Sequence, residues 1–246
     1  MERPRLLVAL AHPDDETFIC GGGLAAFAAA GGRVDLVCAT RGEHGRRLGR
    51  PPFATRETLP DVREAELRAA CAALGIEGLH LLGLRDKCLE FEDLDSLAAA
   101  VARHIRALRP AAVLTFHERR GGHTDHCAIG RAAELAWLRA GDASWHPELG
   151  PPHVAPRLYF LAGRDVFEHP ERHGTVPEAR TELACPGVAE RLLAAHRAHR
   201  SQTELDAGLW SDDAAAVARF RGRRETYQQA AAPFTPGERG LLGLGG

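Results

Sequence analysis

His12, Pro13, Asp14, Asp15 and Glu16 follow directly on a short apolar run, Leu6–Ala11. Burying an imidazole and three carboxylates at the mouth of a strand costs on the order of several kcal/mol per uncompensated ion. A divalent cation is the simplest compensation. Imidazole nitrogen and carboxylate oxygen are both zinc ligands, and catalytic zinc commonly keeps three protein ligands and one open position. His12 and Asp15, three apart in a turn leaving a strand, can converge on one ion. The plainer alternative is that Asp14 or Asp15 caps the next helix, with Glu16 in its first turn. That alternative leaves His12 without a purpose.

A second group follows another apolar run, Ala112–Phe116, in the stretch "HERRGGHTDHCAIG". His123 and His126 are three apart, with Asp125 between them, and Gly121 and Gly122 allow close backbone approach. Alone, this segment reads equally well as surface histidines with Thr124 or Asp125 capping a helix. Together, H-x-x-D at one strand end and H-x-D-H at another form two halves of a His/His/carboxylate metal site. The same ligands also describe the facial triad of non-haem iron oxygenases, so Fe2+ stands beside Zn2+ as a candidate cofactor.

The elements that must position these residues alternate. Strands are expected at Leu6–Ala11, Val34–Thr40, Leu79–Leu82 and Ala112–Phe116, with a further one at Arg157–Leu161. Helical patterns fall at Leu24–Ala30, Asp61–Leu74, Leu94–Leu108 and Asp125–Arg139. This alternation predicts an α/β fold: a Rossmann-like, open, parallel-rich sheet with helices on both faces. Its active site would lie at the C-terminal strand ends. Gly141–Pro156 is rich in Pro and Gly and Gly163–Arg180 is irregular, so residues 141–180 read as a lid or substrate region. Val188–Gln202 and Asp213–Gln229 read as closing helices, and 233–246 as a flexible glycine-rich tail. With no repeat or long linker, residues 1–246 are expected to form one domain.

"GGGLAA" (Gly21–Ala26) formally fits a dinucleotide-binding fingerprint. That fingerprint should follow the first strand at once, yet nine residues, acids among them, intervene. Tight helix–sheet packing is the better reading of these glycines.

Composition excludes several classes. The formal net charge is −2, so nothing argues for nucleic acid. No apolar run approaches the roughly 18 residues of a membrane span. Met1-Glu2-Arg3-Pro4 runs straight into a strand without a signal-peptide pattern, so a soluble, cytoplasmic protein is expected. Six scattered cysteines with no C-x-x-C pair read as reduced, buried thiols. An apolar face on the closing helices would support a homo-oligomer. His44 and His117, near strand ends, could line the pocket, and Trp145 could contact substrate from the lid region.

"AHPDDE" (Ala11–Glu16) followed by H-x-D-H (His123–His126) resembles the PIG-L/LmbE-like zinc-dependent N-deacetylases, which act largely on N-acetylglucosamine-containing compounds. "TRGEHG" (Thr40–Gly45), "VREAELRAACAALGI" (Val62–Ile76), "LLGLRD" (Leu81–Asp86) and "HRSQ" (His199–Gln202) extend the resemblance over roughly residues 5 to 205. It implies that His12, Asp15 and His126 bind zinc and that Asp14 is the general base. His123 would stabilise the oxyanion or protonate the leaving amine, and Asp125 would orient a neighbouring histidine. Arg63 and Asp86 would contact sugar hydroxyls or a substituent. Thr124 stands where many members have Pro, and Arg119 to Gly122 where some have an aromatic residue, which bears on substrate choice.

The expected function is therefore metal-dependent removal of an acetyl group from an N-acetylglucosamine-type small molecule by zinc-bound water. Hydrolysis of another small-molecule amide is the nearest alternative. A non-catalytic scaffold on the same fold has no support in the sequence, because every proposed ligand and the base are present.

Overall fold

The computed structural model describes residues 3–117, 123–161, 177–185, 187–231, 233–235 and 237–244. Short runs of Val, Leu and Ala build the parallel centre of a seven-stranded sheet. Its strands are β1 (Arg5–Leu10), β2 (Arg33–Thr40), β3 (Gly78–Leu84), β4 (Ala112–Phe116), β5 (Arg157–Leu161), β6 (Arg180–Ala184) and β7 (Arg224–Gln229), ordered β3-β2-β1-β4-β5-β7-β6. β1, β2 and β4 are covered on both faces, which is why they read as unbroken apolar runs rather than alternating ones.

The connecting helices are α1 (Asp15–Phe18), α2 (Gly21–Ala29), α3 (Leu59–Leu74), α4 (Leu94–Leu108) and α5 (Thr124–Arg139). Right-handed crossovers put α2 and α3 on one face and α4 and α5 on the other. From β1 the chain winds outward through β2 to β3, then returns to the other side of β1 as β4. The order thus reverses between β1 and β4, and a crevice opens there at the strands' carboxyl ends. Both chemistry-bearing segments leave the sheet at that crevice.

The second half departs from the expected pattern. The helix expected over Val188–Gln202 breaks at His199 (φ −79°, ψ 52°) into α6 (Ala189–Ala198) and α7 (Arg200–Thr203). Of Asp213–Gln229, only α8 (Asp213–Ala218) is helical; Gly222, at φ 73°, lies in the turn beyond it, and Arg224–Gln229 is the strand β7, antiparallel to both β5 and β6. In β7, Glu225, Tyr227 and Gln229 point inward and alternate with exposed or half-buried neighbours, a period of two. The tail expected to fray is packed where it is described. Leu241 is fully buried, and the buried carboxylate of Glu238 accepts from Tyr159 Oη (3.2 Å) and Gln229 Nε2 (2.8 Å).

Residues 141–156 do not cover the crevice. The buried Arg106 guanidinium donates to the carbonyls of Ala140 (3.0 Å), Asp142 (2.7 Å), Trp145 (2.7 Å) and His146 (2.6 Å), pinning this segment to α4. Trp145 Nε1 donates to Asp95 in α4 (2.9 Å), away from the site. Residues 162–176, the rest of the expected lid, lie outside the described residues.

The triple glycine has a local cause. The N–H groups of Gly22 and Gly23 donate to the two carboxylate oxygens of Glu225 (2.9 and 2.7 Å), which Arg223 and Tyr227 also hold. A Cβ on Gly23 would sit 2.0 Å from the Tyr227 hydroxyl. The helix N-terminus that a dinucleotide fold offers to pyrophosphate is here filled by a carboxylate. Glu225→Ala strips acceptors from two buried N–H groups and takes from Arg223 its carboxylate partner. It is expected to cost about 3 kcal/mol of stability in urea unfolding; a loss under about 0.5 kcal/mol would contradict this account. Among the described residues no helix is long and apolar enough to cross a membrane.

Candidate metal centre and active site

β1 ends fully buried, and the turn after it is tightly determined. Asp14 holds φ 103°, a left-handed conformation uncommon for a residue with a side chain. Its N–H donates to Glu16 Oε2 (3.0 Å), and its carbonyl accepts from the N–H groups of Thr17 and Phe18. Arg63, buried in α3, donates to the Pro13 carbonyl, to the Gly42 carbonyl (2.8 Å) and to Asp14 Oδ2 (2.8 Å). Left-handed strain persists only where surroundings over-determine it, and these contacts do so. The result is that Asp15 opens α1 with its carboxylate turned back to the His12 N–H (2.9 Å).

The second segment arrives from β4. His123 caps α5: its Nδ1 accepts the Asp125 N–H (3.2 Å). With Nδ1 as acceptor, the ring proton is assigned to Nε2. His126, in the first turn of α5, stacks flat on Phe116 at 4.0 Å, which fixes its ring plane.

Three side chains converge. His126 Nε2 lies 3.3 Å from His12 Nδ1 and 3.3 Å from Asp15 Oδ1, and His12 Nδ1 lies 3.6 Å from Asp15 Oδ2. Ligands on a tetrahedral zinc at about 2.0–2.1 Å stand about 3.3–3.4 Å apart, so these residues fit such an ion. A second cluster, His12, His123 and Asp125, shares His12. There the other ring nitrogen, Nε2, faces Asp125 Oδ2 (3.1 Å) and Asp86 Oδ1 (3.2 Å). Asp125 is fully buried and also accepts the N–H groups of Lys87 (2.7 Å) and Leu89 (3.1 Å). A histidine that donates Nε2–H to carboxylates presents the Nδ1 lone pair on its other side, so the first cluster is the one whose atoms fit an ion, with Asp125 and Asp86 on the far side of the His12 ring.

The charge balance points the same way. Asp14, Asp15, Asp86 and Asp125 crowd the region around His12 and the buried Arg63 guanidinium. Burial would lower the His12 pKa, but hydrogen bonds to Asp15 and Asp86 and their charges override it and push the ring up to about 10. Burial would raise Asp15, yet His12 and His126 hold it well below the usual carboxylate range. Asp86 is held at about 2, His12 again outweighing burial. Asp14 behaves oppositely: burial lifts it to about 7, against the pull of Arg63.

A cavity of about 330 Å3 opens over these groups, lined by His12, Asp14, Asp15, Arg63, Asp86, His123 and His126. Of the residues given metal, catalytic or substrate roles in the sequence, all but the buried Asp125 face it. His44 and Gln202 also line it, whereas His117 is turned to Phe160. Asp86 spends its carboxylate on His12 and on the His44 N–H (2.8 Å), and Arg63 spends its guanidinium on the turn. Sequence reasoning does not find the fully buried pair of Glu16 and His199 (Oε1 to Nε2, 2.7 Å) behind the turn. The "HRSQ" segment is its only trace.

Asp125→Asn swaps one hydrogen-bond acceptor of His12 for a neutral amide. Metal affinity is expected to fall about 10- to 100-fold, as measured by competition with a chromophoric chelator; unchanged affinity would remove Asp125 from the orienting role.

Residues 7–137 match the family model described as "PIG-L: GlcNAc-PI de-N-acetylase". The chain is 37% identical over 204 residues to a Bacillus cereus protein named "Probable N-acetyl-alpha-D-glucosaminyl L-malate deacetylase 2", covering 83% of this chain and 86% of that one. A conserved protein of Thermus thermophilus shares the fold with a TM-score of 0.70 at 27% identity, over 94% of this chain and 96% of that one. A 4-carboxy-2-hydroxymuconate hydratase of Pseudomonas putida superposes with a TM-score of 0.68 at 22% identity, over 94% and 98% of the two chains. That last likeness concerns the fold alone.

Proposed function

Starting from a chain that belongs to the PIG-L family of de-N-acetylases, we propose that it is a metal-dependent hydrolase that removes the acetyl group from an N-acetylglucosamine-derived small molecule. The observation that carries this reading is the convergence of His12 Nδ1, Asp15 and His126 Nε2 beside the carboxylate of Asp14. Zinc is the metal these ligands suit best. When bound, it supplies a Lewis acid for the amide carbonyl and lowers the pKa of the attacking water.

The remaining work falls to the chain. Asp14 takes the proton from the attacking water and returns it to the departing amine, which balances the hydrolysis. Arg63 aims the Asp14 carboxylate. His123, with Nδ1 committed to the α5 cap, donates Nε2–H to the oxygen that gains negative charge. Asp125 and Asp86 hold His12 through Nε2 and keep its Nδ1 lone pair on the metal side. This gives Asp86 a positioning role rather than a sugar contact. Six free thiols suit a reducing compartment, and we place the protein in the cytoplasm.

The test is stoichiometric release of acetate and free amine from N-acetylglucosaminides by metal-loaded protein. Oxygen uptake without acetate would transfer the site to iron chemistry.

A further inference from the structure

A carboxylate and an imidazole lie sealed behind the turn that carries Asp14 and take no part in the chemistry proposed above. The side chains of Glu16 and His199 are both 0% exposed, and His199 Nε2 donates to Glu16 Oε1 (2.7 Å) across 183 residues of chain. The same oxygen accepts the Thr17 hydroxyl (2.5 Å). The other, Oε2, accepts the Asp14 N–H (3.0 Å). The carboxylate thus bridges His199 to the backbone of Asp14.

The pair carries costs that a purely structural contact would not need. His199 interrupts a helix, with ψ at 52°. Its Nδ1 is buried and has no hydrogen-bond partner among the described residues. Two apolar side chains of similar volume would avoid both costs and the desolvation of a buried carboxylate. Features that break local rules in this way concentrate at functional sites.

His199 also comes from a fixed support. Ser201 donates its N–H and its hydroxyl to the two carboxylate oxygens of Glu66 (2.6 and 2.7 Å), which pins α7 to α3. The His199 carbonyl accepts the Gln202 N–H (2.9 Å) and the Thr203 hydroxyl (3.0 Å). Arg63, on the same helix α3, grips the Asp14 carboxylate (2.8 Å). Asp14 is therefore held at two points. Arg63 takes its side chain, and Glu16, backed by His199, takes its N–H. A backbone at φ 103° persists only under such constraint.

We propose that Glu16 and His199 are positioning residues for the general base: the pair fixes the left-handed backbone of Asp14 and so directs its carboxylate over the metal site. The inference rests on the deacetylase reading and adds to it how the base is aimed.

His199→Gln and His199→Asn test this. Both put a neutral amide in the same buried place. The Gln amide nitrogen reaches the position of Nε2 and can still donate to Glu16, whereas the shorter Asn amide reaches only the position of Nδ1. The Asn variant is expected to lose about 100-fold in kcat, the effect of a misplacement of about 1 Å, with KM and metal content unchanged. The Gln variant should stay within about tenfold of wild type. In metal-free protein, the Asp14 amide hydrogen should exchange faster in the Asn variant than in the Gln variant, a readout that needs no turnover. Equal kcat in the two variants, a loss carried by KM or by metal content, or an Asn variant that does not fold would mark the pair as structural. Each of these overturns the inference and leaves the deacetylase standing. No amine release by wild type would overturn the deacetylase reading, and this inference with it.

Discussion

Asp14→Asn is expected to retain its metal and lose about three orders of magnitude in kcat, the middle of the range a positioned base contributes. The substitution is nearly isosteric. Asn tolerates the left-handed backbone at φ 103°, and its carbonyl oxygen can still accept from Arg63. His12, Asp15 and His126 are untouched, so metal content measured by plasma mass spectrometry should match wild type. What disappears is the capacity to take a proton. Burial holds Asp14 at about 7 in the metal-free protein, and a base must be ionised to act. The wild-type rate should therefore rise with pH through an acid limb and level above it, with a bound cation drawing that limb below 7. The variant should lack the limb. Activity within about tenfold of wild type would remove Asp14 from the base role.

The second large effect is metal removal. Chelated protein should show no measurable amine release, and one equivalent of zinc should restore it. The electrostatics add a quantitative signature. In the metal-free protein His12 is cationic below about 10, because Asp15 and Asp86 override the effect of burial. A ligand nitrogen must be deprotonated. At pH 8, metal binding should thus release about one proton per site, seen calorimetrically in buffers of different ionisation enthalpy. Apparent affinity should climb with pH up to about 10. Full activity after exhaustive chelation, or an affinity flat from pH 6 to 9, would sink this description of the centre.

Much of the site is legible in the sequence because its parts sit within a few residues of strand ends. β1 and β4 announce themselves as unbroken apolar runs, and the residues that follow them must meet at the crevice. What stays hidden is written in polar residues. The inward face of β7 is Glu225, Tyr227 and Gln229, so hydrophobic periodicity is nearly silent there and the segment reads as helix. The tail stays put through Glu238 and Leu241, two residues scattered among glycines. The 141–156 segment reads as a lid from its Pro and Gly content, yet one buried arginine in α4 decides its place. The resemblance sends Asp86 toward substrate, whereas His12 and the His44 N–H take its carboxylate. Spacing along the chain reveals which side chains share an end of the sheet. It does not reveal which of them are already taken by one another.

The carboxylate at the start of α2 has a consequence for the order of assembly. Gly22 and Glu225 are 203 residues apart, and Arg223, from the same late segment, closes on the Phe18 carbonyl at the end of the turn that carries Asp14 and Asp15. During synthesis the parallel half of the sheet emerges first. It stays incomplete, with the far edge of β5 unpaired, until β7 is made. A contact spanning so much chain is among the slowest to form. The turn that carries the chemistry is encoded near the start of the chain and held by Arg63 from α3, yet its far end receives a further brace from one of the last segments. A chain still lacking β7 would present the parallel sheet and the turn without its brace at the Phe18 carbonyl.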